Sequence, residues 1–241
     1  MKRAIALTAV CAVGVTVASC GSGGPTPDSS GDPYAGRGSS VGDGLATTPP
    51  DVGEAATSAA GKAGCAAKAW PADPGAKSDG TPFDSARTHD EGTITYGVSL
   101  PPTSGPHSGI WANWGFYDQP IPAAHQVHNL EHGGVIVHYG SAVSAADIDA
   151  LKTFWRDSPA YVIVVPDTST SFPKNGVVVT SWQRWMVCKP FKASQIPAIK
   201  TYRDTFRGAG PENVEGEVGF SRNSGNNAPN LPKPALPDPK A

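Results

Sequence analysis

The sequence predicts an α+β fold: a single compact domain in which a small mixed β-sheet carries two packed helices, placed after a long disordered tether. Three observations point there. Short apolar runs and helix-period segments follow one another in the order ββαββα. A Gly/Ser/Pro/Thr-rich stretch precedes them, and the last twenty or so residues are Asn- and Pro-rich. The part between, residues 63–220, is long enough for one core.

Each element has its own signal. Thr93 to Leu100 alternates like a strand, and Val135-Ile-Val-His-Tyr139 is a short apolar run that suits a buried one. Ser144 with Asp147 three residues on resembles a capping box and opens a helix with Ile148, Leu151, Phe154 and Trp155 on one face. Ser158-Pro159 ends it. Tyr161 to Pro166 reads as a central strand and Gly176 to Val187 as another, with a Pro/Ser/Thr loop between them. Ser194 is the expected cap of a last helix that turns Ile196, Ile199, Tyr202 and Phe206 inward and stops at Gly208-Ala-Gly-Pro211. The strand–helix–strand from Val135 to Val165 suits a right-handed parallel crossover.

The first residues predict export. Met1-Lys-Arg is positive, Ala4 to Ala18 is apolar but too short to span a bilayer, and Val17-Ala-Ser-Cys20 resembles a lipobox. Residues 1–19 are therefore expected to be a lipoprotein signal peptide, with Cys20 the lipidated first residue of the mature chain and the cell membrane's extracytoplasmic face its location. Residues 20–62 bury too little apolar surface to offset their ordering entropy and read as the tether. Residues 221–241 read as a disordered tail. Of four cysteines, Cys11 leaves with the signal, so Cys65 and Cys188 remain, and an oxidising compartment predicts that they form one disulfide. The alternative makes Cys188, beside Met186, a soft metal ligand.

Between the first strand and Val135 the chain is unusual. Pro101-Pro-Thr-Ser-Gly-Pro-His107 is a proline-stiffened approach to a histidine. Gly109-Ile-Trp-Ala-Asn-Trp-Gly-Phe-Tyr117 supplies four aromatic residues, either a satellite core or a surface platform for a sugar or lipid headgroup. His125-Gln-Val-His-Asn-Leu-Glu-His-Gly-Gly134 then packs three histidines and a glutamate together. His128-Asn-Leu-Glu-His132 has the H-x-x-E-H spacing of a zinc-binding helix, but the glycine pair leaves room for only a turn or so of helix, and Glu212 is a loosely spaced third ligand. On a strand, His128 and His132 share one face that His107 could join, and Glu131 points the other way.

PPTSGPH at 101–107, WGFY at 114–117, VHNLEHGGVIVHY at 127–139 and GPE at 210–212 together resemble domain-of-unknown-function family 3105, from about Thr88 to Pro211. The resemblance implies that His89, His107, His128 and His132, with Glu131 between the last two, are the recurring positions, and that His125 and His138 are peripheral. It selects residues without naming a reaction.

Three imidazoles suit copper or zinc, with Glu131 completing the site or orienting a ring, and His89 a fourth donor. The competing account hydrogen-bonds the rings to backbone carbonyls and binds nothing. Two further roles stay open: a metal-assisted hydrolase of a cell-envelope substrate with Glu131 as general base, and a non-catalytic envelope binding or scaffolding module. Net charge of −2 with no basic stripe argues against nucleic acid as a partner. No nucleophile elbow, P-loop or dinucleotide fingerprint is present.

Overall fold

The computed structural model describes residues 51–69, 89, 94–96, 100–212 and 230–237. The expected signal peptide, Cys20 and most of the expected tether and tail lie outside these residues.

The elements in chain order are α1 (Glu54–Lys62), β1 (Ala66–Ala69), β2 (Gly115–Phe116), α2 (Ala123–Glu131), β3 (Val135–Gly140), α3 (Ala145–Asp157), β4 (Val162–Asp167), β5 (Val177–Ser181), β6 (Arg184–Cys188), α4 (Ile196–Phe206) and β7 (Leu236–Pro237). The strands form one seven-stranded mixed sheet in the order β1-β6-β5-β3-β4-β2-β7. β3 and β4 pair in parallel across the α3 crossover, β2 joins β4 in parallel, and the remaining pairs are antiparallel. The α+β class with a mixed sheet is as expected, but the described residues hold four helices rather than two.

Alternation along the central strands buries both faces. Val135, Val137 and Tyr139 of β3 face one core with Val162, Val164, Val177, Val179 and Met186, covered by Leu151, Phe154 and Trp155 of α3 and Ile199, Tyr202 and Phe206 of α4. Ile136, Ile163 and Val165 face the other core, covered by Val127 and Leu130 of α2 and by Trp114, Tyr117 and Ile121. Each such side chain contributes ~1.5–3 kcal/mol when fully buried. Ser144 caps α3 by accepting a hydrogen bond from Asp147 N, and its hydroxyl donates to the Asp147 carboxylate at 2.6 Å.

Several expectations change. The last nine residues assigned to the tether form α1, with Ala56 and Ala60 buried. Leu236–Pro237, placed in the tail, pair with β2 as β7. Ile94, Thr95 and Tyr96 form no strand. The single strand expected from Gly176 to Val187 is a hairpin, β5 and β6, whose turn places Gln183 at φ 58° and lets its N–H donate to Thr103 O. α4 is preceded by a 3-10 turn at Ala193–Gln195, so Ser194 is not its cap. Cys65 and Cys188 form the expected disulfide, which removes Cys188 as a metal ligand. Met186 is fully buried in the sheet core, paired across from Val179.

Candidate metal centre

The histidine segment is a helix. α2 runs nine residues, so the strand reading of His128 to His132 fails, and the two rings meet as i, i+4 neighbours with centroids 4.6 Å apart. The helix stops in a Schellman motif: Gly133 adopts φ 78°, its N–H donates to Leu130 O, and Gly134 N–H donates to Asn129 O. This arrangement makes His132 the C-cap of the helix and turns the chain at once into β3. Asn129 fixes the aromatic loop against α2 by exchanging two hydrogen bonds with the Ala112 backbone. Trp111, Trp114, Phe116 and Tyr117 are all buried, so the loop is core and not a surface platform. Trp111 packs edge-on against His132, with centroids 5.4 Å apart.

The proline-rich approach does hold His107 from a fixed loop. Tyr96 OH donates to Pro106 O at 2.6 Å, and Thr103 O accepts from Gln183 N. A parallel bridge between His89 and His107 brings the fourth histidine alongside, and the His89 ring stacks on His128 at 4.9 Å. His107, His128, Glu131 and His132 are almost wholly buried, whereas His89 keeps about 17% of its side chain exposed.

The proton positions follow from the carbonyls behind the rings. Ser108 O lies 2.6 Å from His128 Nδ1, and Gly105 O lies 2.9 Å from His107 Nδ1. A carbonyl only accepts, so both Nδ1 atoms carry hydrogen, and each ring, in its neutral form, turns a bare Nε2 lone pair inward. His107 Nε2 meets Glu131 Oε2 at 2.9 Å, and His128 Nε2 meets His132 Nε2 at 2.7 Å. Behind His132, the Glu212 carboxylate stands 3.8 Å from Nδ1, which favours hydrogen there too and a bare Nε2. Glu131 Oε1 is buried with no hydrogen-bond partner among the described residues. With the rings neutral and hydrogen on Nδ1, acceptors therefore face acceptors at the centre.

Ionisation agrees. Burial holds His128 well below the usual histidine range, and charge on His132, His107 and His89 adds to this against the Ser108 hydrogen bond. Burial pushes His132 down to about 4, with Glu131 opposing and His107 and His89 reinforcing. Burial pushes the Glu131 carboxyl up, but its contact with His107 and the neighbouring histidine charges outweigh this and hold it below the ordinary carboxylate range.

Two overlapping triads have donor atoms all within 4.8 Å of one another: His89, His107 and His128, and His128, Glu131 and His132. The expected ligand set is thus brought together, divided around His128. Either triad could hold a metal ion. His125 donates through Nδ1 to Ile110 O, and His138 pairs with Thr180 on β5, so neither belongs to the triads. Sequence reasoning gave Glu212 little weight. The path that brings it in runs through glycines: Gly208 N donates to Gly133 O, Glu212 N donates to Glu131 O, and a Cβ on Gly210 would stand 2.2 Å from Glu131 O.

The family profile described as "Protein of unknown function (DUF3105)" matches residues 88–217, more than half of the chain. The chain belongs to the DUF3105 family. The matched region holds all four clustered histidines, Glu131 and Glu212, so the candidate centre lies wholly within the DUF3105 segment. No curated protein and no solved structure matches the chain.

Proposed function

We propose that this DUF3105 protein is a membrane-anchored extracytoplasmic lipoprotein that holds a transition metal, zinc or copper, in its buried histidine cluster. The observation that carries the metal is the convergence of bare donors. His107 Nε2 against Glu131 Oε2 and His128 Nε2 against His132 Nε2 each call for a proton or a metal ion between them, while hydrogen on Nδ1 of His107 and His128 is directed to Gly105 O and Ser108 O. Backbone carbonyls and carboxylates on the far nitrogen are the usual outer support of metal-bound imidazoles. Donors of a tetrahedral ion bonded at about 2.0–2.1 Å stand roughly 3.3 Å apart. Within one triad the His128–His132 separation of 2.7 Å is shorter than that value, and the donor atoms of each triad all lie within 4.8 Å of one another.

The donors are nitrogen and oxygen without sulfur, a set that suits zinc or Cu(II) better than Cu(I). Burial favours retention of the ion over turnover of a substrate, and the aromatic loop that a hydrolase was to use is core. Calorimetric titration with zinc, Cu(II) and Cu(I) tests the reading. Tight binding is expected for the wild type and lost in His128→Ala/His132→Ala. Equal titrations for the two proteins would refute it, and the stoichiometry tells one ion from two.

Anchoring rests on the Val17-Ala-Ser-Cys20 sequence. Radiolabelled palmitate should enter the wild type and not Cys20→Ala. Incorporation that persists in the variant would reject Cys20 as the site.

A further inference from the structure

A second site lies at the β1 border of the sheet, and none of the four clustered histidines lines it. A groove of about 550 Å³ runs over the outer face of the β1–β6 pair and the loop after β4. Its apolar residues are Leu100, Phe172, Trp185 and Val187. Around them stand Lys68 of β1, Lys174 of the loop and Lys189 just past β6, all exposed, and no carboxylate is among the described lining residues. Cross-strand pairing sets Lys68 opposite Trp185, with Nζ 5.5 Å from the ring centroid. Trp185 Nε1–H has no acceptor among the described residues.

None of the three lysines forms an ion pair with a described residue, although Lys152 and Lys200 are paired with Asp149 and Asp157. Three cations around one groove, unpaired among the described residues, repel one another, and the partly exposed Leu100 and Val187 lie between them. The chain as a whole carries a net charge of −2, so this local concentration runs against its overall sign.

We infer that this groove docks on an anionic lipid surface. The lysines take the headgroup phosphates, and their aliphatic stems with Trp185 and Val187 meet the glycerol and upper acyl region. Two features favour a bilayer over a free anion. The cations come from three separate segments and rim an open groove rather than closing over one ligand. The surface between them is apolar, with Leu100 and Val187 partly exposed beside the buried Trp185 ring. The inference requires neither the metal nor an acyl group on Cys20.

The test uses the chain from Gly21 onward, which keeps every described residue and carries no acyl group, in co-sedimentation with phosphatidylcholine vesicles with and without phosphatidylglycerol. Binding should require phosphatidylglycerol and weaken with salt. Each lysine removed should cost about fivefold, so Lys68→Glu/Lys174→Glu/Lys189→Glu should abolish binding while its thermal transition stays near that of the wild type. Lys62→Glu/Lys152→Glu/Lys200→Glu, matched in charge, should bind more like the wild type. Absence of lipid-dependent binding by the wild type, or equal loss in the two triple variants, overturns the proposal. A titration with octanoate distinguishes the sources: octanoate bound in the groove without vesicle binding would make it a small-anion site and reject docking on a bilayer.

Discussion

The Glu212 carboxylate stands 3.8 Å from His132 Nδ1, on the side of the ring opposite the nitrogen that meets His128 at 2.7 Å. Glu212 therefore stands away from the His128 contact, and its charge favours hydrogen on His132 Nδ1 and a bare Nε2. Glu212→Gln should lower metal affinity by about 10- to 100-fold, the usual cost of losing such a partner, with unchanged stoichiometry. Parallel titrations of variant and wild type check this. An unchanged affinity would make Glu212 a bystander.

Glu131→Gln separates a metal site from a buried ion pair. Without metal, the new amide can donate to His107 Nε2 and relieve two acceptors held 2.9 Å apart. The metal-free variant should then melt at or above the wild-type temperature, and zinc should stabilise it less than it stabilises the wild type. If Glu131 instead pairs with a protonated His107, breaking the pair costs about 3–5 kcal/mol, and calorimetry would show a lower melting temperature with or without zinc.

The metal-free protein should be acid-labile well above the carboxylate range. Burial lowers both His132 and His138 to about 4, whereas in the unfolded chain they titrate near 6.5. The unfolded state therefore binds more protons below that value, and stability must fall with pH between about 6.5 and 4. The loss levels off once the folded rings also protonate, at on the order of 3 kcal/mol for each. Melting temperatures across this range check the sign. A flat profile would mean that one or both rings are already charged in the fold.

Reduction should weaken the fold substantially. The Cys65–Cys188 bridge spans 123 residues, and a loop of that size is worth ~3–5 kcal/mol in the chain-entropy model. Unfolding in denaturant with and without a reductant, alongside Cys65→Ser/Cys188→Ser, measures it.

What the sequence reveals depends on whether burial is one-sided. α3 was legible because Leu151, Phe154 and Trp155 alternate with exposed residues and Ser144 marks the start. α2 was not: Gln126, Val127, His128, Asn129, Leu130 and Glu131 are all buried although four of them are polar, so no apolar stripe marks the buried face, and Pro122 provides no side-chain cap. The β5–β6 hairpin was hidden because Trp182-Gln183 lacks the glycine or asparagine that usually marks such a turn. At the centre, the His128 and His132 spacing was readable, as was the set of four histidines. The His89–His107 bridge and the glycine-lined approach of Glu212 are tertiary contacts with no local signature. Met186 looked like a neighbouring soft donor, but strand alternation turns it into the core beside Val179.

The strand order also assigns the two sheet borders to opposite ends of the described chain. β1 closes one border against β6 and β7 closes the other against β2, where a Cβ on Gly115 would meet Pro234 at 2.4 Å. The long apolar ladders of β3, β4 and β5 lie inside the sheet, and the four residues of β1 and two of β7 leave only short edges at the borders among the described residues. Trimming the chain to the family-matched segment, residues 88–217, would remove both guards together with Cys65. Such a fragment would keep every candidate metal donor while baring two adhesive borders, and self-association would then obscure the titrations for which it was made.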